Sequence, residues 1–183
     1  MKATRFLFLS LFLVSCGSAP DSSRLNETDT EAMRFPLGPD HSVTPGETCQ
    51  RADTLRYPER IAYCTRDVSS AEKNAIIRNY DKSFGYQIGS MNRSEFKIDH
   101  YIPLCMGGSN STKNLWPQHQ SVYIKTDPLE QKLCELMAAG KLLQKDAMEK
   151  IRRAKNNLDQ VPAVQADIDD LIGNGRFAPI EAH

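Results

Sequence analysis

The stretch from Glu95 to Gln118, EFKIDHYIPLCMGGSNSTKNLWPQ, constrains the fold more than any other part of the chain. Phe96 and Ile98, with Tyr101 beyond them, alternate with polar neighbours, which predicts a short strand carrying His100 near its end. Pro103 has no N–H for a ladder, so it ends or edges that strand. Gly107, Gly108, Ser109 and Asn110 predict an exposed loop. Asn114-Leu115-Trp116 predicts a second short strand, stopped at Pro117. A carboxylate and an imidazole, Asp99 and His100, thus stand side by side at a strand end, and a loop returns Asn114 to them. Neighbours on a regular strand point to opposite faces, so their convergence requires a distorted strand end. Pro103 and the glycine loop are compatible with such a distortion.

The chain has 183 residues, enough for one modest domain plus tails. Its formal net charge is zero, which by itself argues against a polyanion partner. The distribution reverses that reading. Residues 49–155 hold 18 Lys or Arg against 12 Asp or Glu, whereas residues 1–48 hold 4 against 6 and residues 156–183 hold 1 against 5. A basic core between acidic tails suits a nucleic acid.

Lys2 and Arg5 precede an apolar run from Phe6 to Val14. That run is too short to span a bilayer and has the length of a signal-peptide core. Leu13-Val14-Ser15-Cys16 resembles a bacterial lipobox, which implies cleavage before Cys16, lipidation of that cysteine and an anchor in the cell envelope. A plain signal peptide would give secretion instead; export follows from both. Gly17, where Asp would retain the protein at the inner membrane, favours outer-membrane sorting in a host that has one. Residues 17–48 are rich in Ser, Asn, Asp, Thr and Pro and read as a flexible tether, with His41 a solvated residue in it.

With Cys16 set aside, Cys49, Cys64, Cys105 and Cys134 remain. An even number in an oxidising compartment implies disulfides. Three pairings can be drawn. The favoured one joins Cys49 to Cys64, closing a hairpin-like segment, and Cys105 to Cys134, tying the loop after His100 to a helix. The rival is a Cys₄ zinc site, weakened by the lack of a C-x₂-C pair.

Residues 49–68 predict irregular structure or a short hairpin. Ser69-Ser70-Ala71-Glu72 matches a capping box, so a helix runs from there to about Lys82, with Ile76, Ile77 and Tyr80 inward and Gly85 beyond its end. Asp127-Pro128 reads as an N-cap with proline at the first helical position, followed by Leu129, Leu133 and Met137 and a stop at Gly140. A further helix over about 141–156 carries Leu143, Ala147, Ile151 and Ala154 inward, with Lys145, Lys150, Arg152, Arg153 and Lys155 on its other face. That basic face is either a phosphate rail or a solvated surface. Residues 157–183 read as a loosely packed acidic tail.

The spacing of Asp99, His100, Pro103, Leu104, Gly107, Gly108, Asn110, Asn114 and Leu115 resembles the HNH nucleases, and Trp116-Pro117-Gln118 is similar to a secreted bacterial branch of that family. The resemblance implies an α+β fold: a small ββα-metal finger at about 95–139 within a nuclease domain at 49–156, with flanking helices and disulfide staples. It also implies a metal-dependent endonuclease acting on DNA or RNA, with one divalent ion, Mg²⁺ or Mn²⁺, and Zn²⁺ or Ca²⁺ as alternatives. His100 becomes the general base, Asp99 a metal ligand, and Asn114 the residue that braces the loop and orients the base. The chain departs from the family nine residues after Asn114, where a His or Asn ligand gives way to Tyr123. His119 is the first substitute ligand, followed by Glu130 and Asp127. Lys145, Arg152 and Arg153 are the candidate nucleic-acid contacts, and a monomer is expected. The rival functions are a catalytically inactive nucleic-acid-binding lipoprotein on the same fold and a structural envelope lipoprotein.

Overall fold

The computed structural model describes residues 34–173; Cys16, the signal segment, the first part of the tether and residues 174–183 lie outside them. Helix and strand are mixed, as an α+β reading requires. A small hairpin, β1 (Thr54–Arg56) and β2 (Ile61–Tyr63), comes first. Its turn uses Tyr57 and Arg60 in the left-handed region, at φ 66° and 57°. Helix α1 (Ser70–Phe84) follows, with both bonds of the expected capping box between Ser69 and Glu72 and Gly85 as its left-handed C-cap.

The antiparallel pair β3 (Phe96–His100) and β4 (Leu115–His119) is the centre of the molecule. β4 does not stop at Pro117 but runs through it, opposite Ile98. Proline is tolerated because a two-stranded sheet leaves each strand one edge on which no ladder bond is needed. Helix α2 (Gln120–Ala138) leaves β4 directly. It starts eight residues earlier than the Asp127-Pro128 signal implies, with His119 as its N-cap, Nδ1 accepting from the Ser121 N–H at 3.2 Å. Pro128 therefore sits inside the helix, where it cannot donate to the Ile124 carbonyl. Ile124 is exposed, so water can take that bond. Helices α3 (Gln144–Asn156) and α4 (Val161–Gly173) complete the chain.

Two apolar clusters flank the central hairpin. One joins Ile102, Met106, Leu129, Leu133, Ile151 and Ile168 across the helices. The other packs Ile76, Tyr80, Ile98, Leu115 and Trp116 between α1 and the strands. The disulfides are Cys49–Cys64 and Cys105–Cys134, with Cα separations of 5.7 and 5.9 Å, and they fit an oxidising, extracytoplasmic setting. Among the described residues no helix is long and apolar enough to cross a membrane.

Both expected tails are partly core. Phe35 is buried and stacks on His119 at 4.0 Å. Thr44 Oγ1 lies 2.7 Å from the Tyr80 hydroxyl and donates to the Leu115 carbonyl. His41 is exposed, as a solvated residue should be, with its ring edge-on to Tyr101. Residues 157–173 are no loose tail either. Val164 and Ile168 repeat at helical spacing and are buried among α2 and α3.

Candidate active site

Gly108 and Asn114 shape the loop between β3 and β4. The Asn114 side chain is buried and fully used: Oδ1 accepts from the Ile102 N–H at 2.8 Å, and Nδ2 donates to the Ile102 and Ser109 carbonyls at 2.9 Å each. A side chain at 108 would put its Cβ 1.9 Å from the Ile102 oxygen, so only glycine leaves room for this brace. From outside, the strap before Cys49 closes on the loop: Cys49 N–H reaches the Gly107 carbonyl, and Ser109 N–H the Glu47 carbonyl.

β3 stays regular through His100, and Asp99 and His100 serve different neighbours. The His100 imidazole meets Asn110 and Arg66. Asn110 Nδ2 donates to the Thr65 carbonyl at 2.7 Å, which turns its Oδ1 toward His100 Nε2 at 3.1 Å. An amide oxygen only accepts, so Nε2 carries the proton and Nδ1 holds the lone pair. The Arg66 guanidinium covers that lone pair at 3.3 Å while also donating to the Ile98 carbonyl at 2.8 Å. Burial pushes the imidazole down to about 4. Arg66 and Lys155 add to this, while the Asn110 bond and Asp99 oppose it. His100 is therefore a neutral ring at pH 7.

Asp99 faces a charged cluster that closes against α2 and α3. One oxygen each of Asp99, Asp127 and Glu130 lie within 4.8 Å of one another. Asp127 and Glu130 come from the same side of α2 as Tyr123, four and seven residues beyond it, because that helix begins early. The Lys97 ammonium contacts Asp127 at 2.7 Å, Asp99 at 3.5 Å and the Tyr123 ring at 4.9 Å. Lys155, fully buried, donates to the His100 carbonyl at 2.6 Å, Glu130 at 3.1 Å and Asp99 at 3.3 Å.

The charges set one another. Burial alone would raise Asp99, but Lys155, Lys97 and His100 hold its carboxyl below the usual range. Burial raises Glu130, with Lys155 opposing and Asp99 adding. Burial would lower Lys155, but Glu130 and Asp99 outweigh it and keep the ammonium charged. Lys97, Asp127 and Glu130 open onto a groove of about 420 Å³ that Tyr57 and the Cys105–Cys134 bridge also line.

Several expected site residues lie elsewhere. His119 pairs with Phe96, three residues along β3 from Asp99, or about 10 Å. Its ring caps α2 and stacks on Phe35, so it is not brought to the carboxylates. The basic face of α3 is largely spent: Arg153 and Lys150 pair with Asp167 of α4 at 2.7 and 3.4 Å, and Arg152 lies over the Tyr101 ring. Lys155 is not on that face at all; Lys145 alone of the three expected nucleic-acid contacts stays fully exposed. Sequence pattern gives no role to Arg66, to Lys97 or to the direct contact from Asn110. The only signal for Lys155 was its position, four residues after Ile151 and eight after Ala147 on the apolar stripe.

No family profile, curated protein or solved structure matches the chain.

Proposed function

We propose that the chain is an exported, metal-dependent endonuclease of the HNH type. One observation carries the reading: a strand pair and the helix that leaves it bring carboxylates from Asp99, Asp127 and Glu130 within 4.8 Å of one another, and the residue after Asp99 on the same strand carries a buried neutral imidazole. His100 Nδ1 is the general base. It takes the proton of an attacking water; the water oxygen bonds to phosphorus, and the P–O bond to the leaving oxygen breaks with its electron pair on that oxygen, which takes a proton from solvent. Asn110 fixes the tautomer this requires.

The cluster fits a hard divalent cation. Its donors are three carboxylates with no nitrogen or sulfur, which suits Mg²⁺, Mn²⁺ or Ca²⁺ better than Zn²⁺. Asp99, Asp127 and Glu130 would hold it, with the partly exposed Lys97 moving off Asp127 and Lys155 staying as an internal counter-charge. A bound ion supplies charge for the crowded phosphate and the leaving oxygen.

A second reading is favoured by the saturation of the site: both imidazole nitrogens and all three carboxylates already have partners. On that reading the chain binds nucleic acid without cutting it. Plasmid nicking by the purified protein with Mg²⁺ and with EDTA separates the two. Wild type should nick only with metal, and His100→Ala should fall about 10²–10⁴-fold. Metal-independent silence together with salt-dependent DNA binding favours the second reading. Anchoring through Cys16 is the accompanying proposal for location, supported by the lipobox-like LVSC sequence. Fatty-acid labelling that survives Cys16→Ser would overturn it.

A further inference from the structure

Arg66 is an exposed cation in an unusual place. Among the described residues no carboxylate pairs with it. Its partners are a backbone carbonyl, at 2.8 Å, and the imidazole nitrogen that must stay bare if His100 is to act as a base. The second contact, at 3.3 Å, is long for a hydrogen bond from a charged donor. The guanidinium is thus held near the reacting atom by one firm bond and one weak one, with donors to spare.

A phosphodiester is a better partner than an imidazole for this group. Its two non-bridging oxygens match the guanidinium fork and carry the charge that Arg66 lacks opposite it. We propose that Arg66 is a catalytic residue that gates the base: it caps His100 Nδ1 in the free protein and swings onto the substrate phosphate when one arrives, leaving Nδ1 open to the attacking water. One motion would then both seat the phosphorus and expose the base. Free of substrate, the site holds its nucleophile-generating nitrogen covered. The segment carrying Arg66 is anchored for this task immediately before the gate. Thr65 N–H donates to Asp53 at 2.6 Å, its carbonyl receives Asn110, and the preceding Cys64 is bridged to Cys49. The backbone is held while the side chain is exposed.

The inference rests on the nuclease reading for its chemistry, but it can be tested apart from cleavage. The probe is dimethyl phosphate, titrated into the full chain with Mg²⁺ present at fixed pH, with ¹⁵N spectra reporting the His100 ring. In wild type the Nδ1 resonance should move toward that of a bare imidazole nitrogen as the diester binds. In Arg66→Ala it should start there and stay unmoved by the diester. Arg66→Lys, which keeps the charge but not the fork, should bind the diester at least about tenfold more weakly. Cleavage by Arg66→Ala should drop about 10²-fold in kcat.

An Nδ1 resonance that never moves in wild type, or moves equally in Arg66→Ala, overturns the gate. Arg66 is exposed, so both variants should keep the wild-type amide fingerprint away from this loop. A wild type that gives the shift but cuts no nucleic acid sinks the nuclease reading and leaves the gate. Cutting by wild type and Arg66→Ala at equal rates does the reverse.

Discussion

His100 and Lys155 are both ionisable, both buried, and pay opposite consequences for it. The imidazole is pushed down to about 4 from an ordinary 6.5, so the unfolded chain binds a proton more readily than the folded one between those values. Its contribution to stability is complete above about pH 6.5 and is lost as pH falls toward 4, to a depth of about 3 kcal/mol. Urea unfolding at pH 7 and pH 4.5 should show that drop, and His100→Gln should flatten it; an unchanged drop in the variant would mean other groups carry it. Lys155 keeps its charge by sharing it with Glu130 and Asp99. Lys155→Met should leave those carboxylates without their buried counter-ion and cost about 3–5 kcal/mol. Restoration of part of that loss by Glu130→Gln in the same chain is the expected signature in thermal melts. A Lys155→Met protein as stable as wild type would show that the cluster tolerates its own repulsion.

At the level of elements, the sequence is most legible where local chemistry and tertiary packing agree. The Ser69 capping box, the alternation along β3 and the four cysteines are such places. It misleads where a strong local signal is overruled. Asp127-Pro128 looks like a helix start, yet the cap supplied by His119 and the burial of Val122 and Thr126 begin α2 eight residues earlier. That shift turns Asp127 and Glu130 from second-choice ligands into the residues facing Asp99, and takes His119 out of the site. Lys155 misleads for a similar reason: its charge suggests solvent, whereas its spacing from Ala147 and Ile151 points inward. Arg66 was not legible at all, because its partners are 32 and 34 residues away and no local pattern records them. The β3–β4 loop offers another test: it forms where the glycines stand, but Gly107 and Gly108 are buried in it rather than exposed, because the Asn114 brace and the strap before Cys49 close over them. Gly108→Ala should collide with the Ile102 carbonyl, break the Asn114 brace and destabilise the protein by more than about 2 kcal/mol. Faster amide exchange at Ile102 and Asn114 than in wild type is the accompanying readout; normal protection there would mean the loop can relax around a methyl group.

Over the whole molecule, the covalent staples and the site share a route. Cys49–Cys64 fixes the segment whose next two residues, Thr65 and Arg66, hold Asn110 and His100; Cys105–Cys134 ties the β3–β4 loop to the helix bearing Asp127 and Glu130. Each bridge should contribute about 2–4 kcal/mol through the unfolded chain. Cys49→Ser/Cys64→Ser should go further than that loss and lower nicking of plasmid even under conditions where the protein remains folded. Full activity in the folded double variant would detach the staple from the site. The arrangement amounts to a delay in time. If the chain is the exported endonuclease proposed above, a newly made chain with free thiols would lack the staple that seats Thr65 and Arg66 against Asn110 and His100, so the last step of maturation would fall after departure from the compartment that stores the producer's genome, and the hazard would be armed only beyond it.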